Sequence, residues 1–341
     1  MRAAVYYSND DIRLEEMPVP RTGEGELLLK VMACGICGSD VMEWYRIRRA
    51  PRVLGHEAVG SVEEVGDGVE GYRPGDRVFV SHHVPCNTCR HCLRGEHTAC
   101  ETLHRTNIDP GGLAEYARVP RINVDRGVFP LPEEMTYMDG VFIEPLSCVF
   151  RGQRKLGIRP GDTVLVLGSG VSGILHIQLA RSLGATRIIT TDINEYRMRA
   201  AERFGADVVI DARGDVPNIV REANEGRLAD HVIVSTAALP AIKQALQIVG
   251  DAGKVLFFAP TPPSVEVPLD LNELWSRQVT VTTTYAAAPA DIAAALELIR
   301  AGQVQVREMI THRLGLSETG LGFRLVAEAG ESLKVVVEPQ R

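Results

Sequence analysis

The sequence predicts an α/β chain of two domains, one built on a doubly wound parallel six-stranded sheet and the other compact and β-rich. Three observations carry that prediction. A chain of 341 residues exceeds the size at which a single core usually keeps growing. Between residues 155 and 284, short β-rich runs alternate with helix-like stretches at steady spacing. The first 150 residues hold short strands broken by Gly and Pro, with little helical periodicity.

In the first domain the pattern places strands at 26–31, 58–65, 77–80 and 113–119. Arg-Pro-Gly-Asp occurs at 73–76 and again at 159–162, each time before a Val-rich strand. Pro fixes φ and Gly accepts φ > 0, so both copies read as the same turn. In the second domain the strands fall at Thr163–Leu167, 187–191, 207–210, 231–235, 254–258 and 279–283. Ile174, Leu175, Gln178, Leu179 and Leu183 are spaced as a helix that Gly184 stops, and residues 195–204 form another that ends at Gly205. A helix at 290–301 and a strand at 333–337 follow, returning the chain to the first domain. The expected boundaries are 1–150, completed by 286–341, and 151–285.

A formal charge of −7 argues against a nucleic-acid partner, which needs a clustered basic surface. No run approaches the roughly 20 apolar residues that span a bilayer. The N-terminus enters a strand-like stretch without a signal-peptide core, so a cytoplasmic location is expected. Seven cysteines in such a compartment point to metal rather than disulfides.

Gly168-Ser169-Gly170-Val171-Ser172-Gly173 lies between a strand and a helix, the context that gives a G-x-G-x-x-G run its mechanism. Gly168 permits the turn, Gly170 admits a pyrophosphate, and Gly173 lets helix and strand pack closely. The helix start at Val171 offers free N–H groups to phosphates. Asp192, 19 residues after Gly173, is placed to accept from ribose hydroxyls and to repel a 2′-phosphate, which favours NAD over NADP. Arg197 and Arg199 stand close enough to soften that discrimination.

Cys86, Cys89, Cys92 and Cys100 put four thiolates within fifteen residues, enough for a closed tetrahedral zinc site that braces a loop. Ferredoxin-type runs place the fourth Cys nearer and follow it with Pro, whereas here seven residues intervene and Glu101 follows. A second constellation is dispersed: Cys37, His56-Glu57 and Glu144. A Cys, a His and a carboxylate hold a metal while leaving a position open. Asp40 is placed to accept from the outer ring N–H of a ligating histidine.

Taken together, Cys34-Gly35-Ile36-Cys37-Gly38-Ser39-Asp40, Gly55-His56-Glu57, the four-cysteine lobe, Glu144-Pro145-Leu146 and the glycine run resemble the zinc-dependent medium-chain alcohol dehydrogenase superfamily over essentially the whole chain. The resemblance implies a GroES-like catalytic domain and a Rossmann domain. It also implies oxidation of a secondary hydroxyl on a small polyol-like or amino-alcohol substrate by NAD, with one catalytic and one structural zinc. It implies Cys37, His56 and Glu57 as catalytic zinc ligands, Glu144 as a fourth or exchanging one, Cys34 as a bystander, and Ser39 as the first proton acceptor. The Glu-Pro-Leu at 144–146 is similar to the sorbitol, threonine and butanediol dehydrogenase branch, and the segment from Asp192 to Arg197 to threonine dehydrogenases. Tyr285 is similar in position to residues that approach the nicotinamide and substrate in that branch, with an interface or core tyrosine as the equal alternative; Trp44 is a second substrate-pocket candidate, and a homotetramer is expected. His82 and His83 read as a solvated turn ahead of the metal lobe, with pocket lining as the competing role. The sequence departs from the family at Met42, where many members carry a proton-relaying His, so the proton leaves by water, Glu43, Tyr45 or another group. Two other readings keep the fold: a zinc-independent alkene or quinone reductase, and a non-catalytic NAD-binding protein.

Overall fold

A computed structural model describes residues 1–341. The chain divides into two compact units, one of residues 1–147, 286–301 and 306–341, the other of residues 148–285 and 302–305.

The first unit is built on a seven-stranded sheet. Its order is Ile310–Gly315, Lys334–Glu338, Leu27–Gly35, Glu57–Val65, Arg77–Ser81 and Val128–Pro130, with Tyr116–Val119 also pairing with Leu27–Gly35. The first two strands run parallel and the other pairs antiparallel. A smaller sheet orders Asp11–Glu16, Arg2–Ser8 and Arg52–Val53. Apolar residues from both sheets, among them Tyr6, Leu29, Val53, Val62, Val80, Ala117 and Val337, share one buried core. The ladder expected from 113 starts only at Tyr116, because Leu113 N donates instead to Leu54 O.

A helix absent from the sequence prediction spans Ile143–Leu156, and the division between the two units falls inside it. Pro145 conceals it in the sequence. Proline is tolerated in a first turn, where the missing N–H would have had no intrahelical partner.

The second unit holds six parallel strands in the order Val208–Asp211, Arg187–Asp192, Thr163–Leu167, Ala229–Val234, Val249–Phe257 and Thr280–Thr283. Counted along the chain, that order is three, two, one, four, five, six, so it reverses beside Thr163–Leu167. Ligands of such sheets bind outside the strand ends at that reversal. Leu165 and Leu167 enter one buried cluster and Val164 and Val166 another, as the period of two requires for a sheet covered on both faces. Residues 302–305 join this unit because Gln178 Nε2 donates to Gln305 O at 3.0 Å and Gln305 N to Gln178 Oε1 at 2.7 Å.

Candidate functional site

The dispersed constellation is assembled by one strand pairing. Gly35 stands opposite Glu57 where Leu27–Gly35 and Glu57–Val65 pair antiparallel, so Cys37, just past one strand, meets His56, just before the other. The ligand-grade atoms of Cys37, His56 and Glu57 all lie within 4.8 Å of one another. A Cβ on residue 35 would fall 1.8 Å from Glu57 Oε2, so only glycine leaves that carboxylate its place.

Asp40 braces the trio from behind. Its fully buried carboxylate accepts from Cys37 N at 3.0 Å and from Arg46 Nη2 at 3.1 Å, and lies 3.4 Å from His56 Nδ1. Burial pushes this carboxyl up, but His56, Arg46 and Cys37 N outweigh it and hold it below its ordinary value. Burial likewise pushes His56 down, yet Asp40 and the Cys37 sulfur keep its imidazolium well above the ordinary histidine range. A ring so strongly inclined to hold a cation, with a thiol beside it, is the donor chemistry that a metal replaces by displacing protons.

Glu57 and Lys334 form an ion pair in which each residue is 1% exposed. Glu57 Oε2 accepts from Lys334 Nζ, whereas Glu57 Oε1 is buried without a hydrogen-bond partner, as expected of an oxygen that serves a metal. Lys334 desolvation lowers its pKa, and the charges of Glu57, Cys37 and Glu144 more than reverse this. No motif pointed to Lys334. The signal was a lysine inside the apolar run 333–337, since a buried lysine demands a partner. Glu144 is buried in the first turn of Ile143–Leu156 and stands outside the tight trio.

Ser39 Oγ accepts from Arg46 Nη2 at 2.9 Å, and Arg46 Nε donates to Ser39 O at 2.9 Å. The expectation of a solvated turn at His82 and His83 is corrected. Both are partly buried, and the His82 ring packs 4.9 Å from His56 and 3.9 Å from His83. The apolar strand Arg77–Ser81 runs straight into them and carries them inward. Trp44 is half-buried in the short helix Glu43–Arg46, and Tyr285, at 46% exposure, closes the second unit.

The four cysteines of the lobe come together, their sulfurs all within 4.8 Å. Hydrogen bonds from Thr88 and Cys89 pull Cys86 down to about 5, while burial and the Cys89 thiol push Cys92 up to about 12. Four thiolates gathered in this way fit a tetrahedral metal.

In the second unit Gly168 adopts φ +95° directly after Thr163–Leu167, a conformation that favours glycine. A Cβ on Gly173 would lie 1.9 Å from Gly168 O, whereas at Gly170 it would meet only the Arg197 guanidinium, 3.8 Å away. The approach to the start of helix Val171–Ser182 is therefore open, with a cation beside it. Asp192 does more than the sequence implied: Oδ2 accepts from Ser169 N at 2.7 Å, and Oδ1 from Ile193 N at 2.8 Å and Asn194 N at 2.9 Å. It thus ties the glycine turn to the adjoining strand.

Family models match residues 23–133 as an alcohol dehydrogenase GroES-like domain and residues 172–301 as a zinc-binding dehydrogenase. The chain is 30% identical to the sorbitol dehydrogenase of Bacillus subtilis (strain 168), over 100% of this chain and 98% of that protein. It is 33% identical to the L-threonine 3-dehydrogenase of Pyrococcus furiosus, over 95% and 94%. The chain belongs to the zinc-dependent medium-chain alcohol dehydrogenase superfamily. Among solved structures, a Sinorhizobium meliloti 1021 protein described as a zinc-binding dehydrogenase and bound to NADP matches this dehydrogenase with a TM-score of 0.88, 30% identity and 99% coverage of both chains. The dehydrogenase is a zinc-type, NAD(P)-using oxidoreductase of the alcohol and polyol class. No helix in it is long and apolar enough to cross a membrane.

Proposed function

We propose that this dehydrogenase takes a hydride from the carbinol carbon of a secondary alcohol to NAD, leaving a ketone and releasing one proton. The substrate class is a small polyol, vicinal diol or amino alcohol. The observation that carries this reading is the trio Cys37, His56 and Glu57, held by Asp40 on one side and Lys334 on the other. A zinc ion there, held by these three with Glu144 as a fourth or exchanging ligand, supplies Lewis-acid polarisation of the substrate hydroxyl. The lobe cysteines Cys86, Cys89, Cys92 and Cys100 hold the structural zinc.

Ser39 is the first proton acceptor. Arg46 donates to one lone pair of its hydroxyl, which leaves the other to accept the substrate proton while the Ser39 hydrogen passes outward. The thioether of Met42 takes no part. Glu43 accepts from Asn9 N at 3.1 Å, so water is the exit route we favour. Gly168, Gly170, Val171 and Gly173 cradle the pyrophosphate, with Arg197 beside Gly170. We assign the adenosine ribose to the side of Asp192, whose negative charge disfavours a 2′-phosphate, and this supports NAD over NADP. Tyr285 and Trp44 are the pocket residues of this proposal. A cytoplasmic homotetramer completes it, and seven cysteines with no disulfide among them suit a reducing compartment.

The test is NAD and NADP reduction against polyols, vicinal diols, threonine and simple alcohols, with zinc determined on the same sample. Cys37→Ser and His56→Ala are expected to abolish turnover and leave NAD binding intact. Equal loss of both would refute the separation of the two sites.

A further inference from the structure

Between Cys37 and His56 the chain concentrates positive charge. Residues 46–52 read Arg-Ile-Arg-Arg-Ala-Pro-Arg, and no acid occurs from 44 to 56, in a protein whose formal charge is −7. Arg48 and Arg49 are exposed to solvent, where their charges need no explanation. Arg46 is occupied by Ser39 and Asp40. Arg52 differs from all three: it is partly buried, and no carboxylate or hydrogen-bond acceptor engages its guanidinium.

The charge of Arg52 interacts with Asp40 and with His82, the two residues set against His56. Arg52 lies on the short strand Arg52–Val53, opposite Tyr6, and four residues before His56. Tyr6 Oη donates to Asn9 Oδ1 at 3.0 Å, and Asn9 Nδ2 donates to Val41 O at 2.8 Å, which ties this strand pair to the segment that follows Cys37. The nearby acids are already committed. Asp40 serves Cys37, Arg46 and His56, and Glu43 Oε1 serves Asn9 N. Across the site, His82 packs on His56 with its Nδ1 buried and unpartnered. The site thus carries a partly buried, unspent guanidinium and an imidazole with a spare polar atom.

A partly buried arginine with no protein counter-charge is left available to an anion. Its planar fork matches two oxygens of a carboxylate or phosphate. We infer that Arg52 receives an anionic group of the substrate, a carboxylate or a phosphate monoester, while a nearby carbinol carbon of the same molecule reacts at the Cys37–His56–Glu57 site. This rests on the dehydrogenase reading above and narrows its substrate class from neutral polyols to polyhydroxy acids or sugar-alcohol phosphates.

The test compares sorbitol, gluconate and sorbitol 6-phosphate as substrates of the zinc-loaded enzyme with NAD, in wild type, Arg52→Met and Arg52→Lys. NADH binding, followed by nucleotide fluorescence, confirms that each variant is folded. The expected result is a kcat/KM for one of the two anions above that for sorbitol. The anion-to-sorbitol ratio should fall about 100-fold in Arg52→Met and about 10-fold in Arg52→Lys, which keeps the charge but loses the fork. The preferred anion separates carboxylate from phosphate. A ratio favouring sorbitol, or one unaltered in Arg52→Met, overturns the inference. If all three substrates are silent, the dehydrogenase panel has failed but the anion site is still decided by calorimetry of acetate and inorganic phosphate into the enzyme–NADH complex. Binding of either that is lost in Arg52→Met upholds the site, and equal behaviour of wild type and variant overturns it.

Discussion

Replacing Lys334 by Met would leave the Glu57 carboxylate buried without its counter-charge. Methionine keeps most of the lysine stem, so little cavity forms and the loss is almost purely electrostatic. Both partners are 1% exposed, hence solvent cannot screen the orphaned charge. Removing one member of such a pair costs about 3–5 kcal/mol. With a urea slope of about 2.5 kcal/mol/M, a loss of about 4 kcal/mol lowers the midpoint by about 1.6 M. The assay is urea unfolding followed by tryptophan fluorescence with a chelator present, so that metal affinity does not enter. The protein has 2 tryptophans, Trp44 in the first unit and Trp275 in the second, and a Trp275→Phe background isolates the first. Adding Glu57→Gln to Lys334→Met removes the stranded charge and is expected to restore about 2 kcal/mol. A midpoint shift below about 0.3 M, or strictly additive single effects, would refute the claim that this pair is desolvated and coupled.

Other perturbations address the remaining parts. Gly173→Ala places a Cβ 1.9 Å from Gly168 O, so the turn must shift, and NAD affinity measured by fluorescence titration is expected to fall about 10-fold or more. Cys92→Ser is expected to halve the zinc content and lower the thermal midpoint while sparing NAD binding; an unchanged midpoint would remove the bracing role. Asp139 accepts from Arg307 Nε at 2.6 Å and Nη2 at 2.7 Å. Burial pushes its carboxyl up, but Arg307 and Thr136 outweigh this and hold it below its ordinary value. Its folded pKa is therefore the lower one, so its stabilisation is present above the unfolded value, about 3.9, and is lost as pH falls through the folded one. Asp139→Asn should accordingly cost about 1–2 kcal/mol at pH 7 and progressively less below pH 4, which urea midpoints at the two pH values would reveal.

Much of this protein is written in short stretches of sequence. Thr163–Leu167, the glycine run and helix Val171–Ser182 are contiguous, so turn chemistry and hydrophobic period suffice to find them. The four lobe cysteines lie within fifteen residues, and a metal cluster follows from their spacing. Cys37 and His56 were legible because flanking residues repeat a familiar pattern, but their meeting depends on Gly35 standing opposite Glu57.

The tertiary structure decided what spacing cannot encode. Lys334 reaches Glu57 across 277 residues because the closing strand pairs Val336 with Gly35 and Val337 with Cys34. Arg46 forks onto Ser39 and Asp40, His82 turns inward to His56, and Asp192 spends its oxygens on backbone N–H groups. Each of these is a polar group taken from water, and its partner is set by register and loop path rather than by neighbours in sequence. Local rules choose the elements and the metal-grade residues, whereas the partners of buried charges exist only once the sheets have closed.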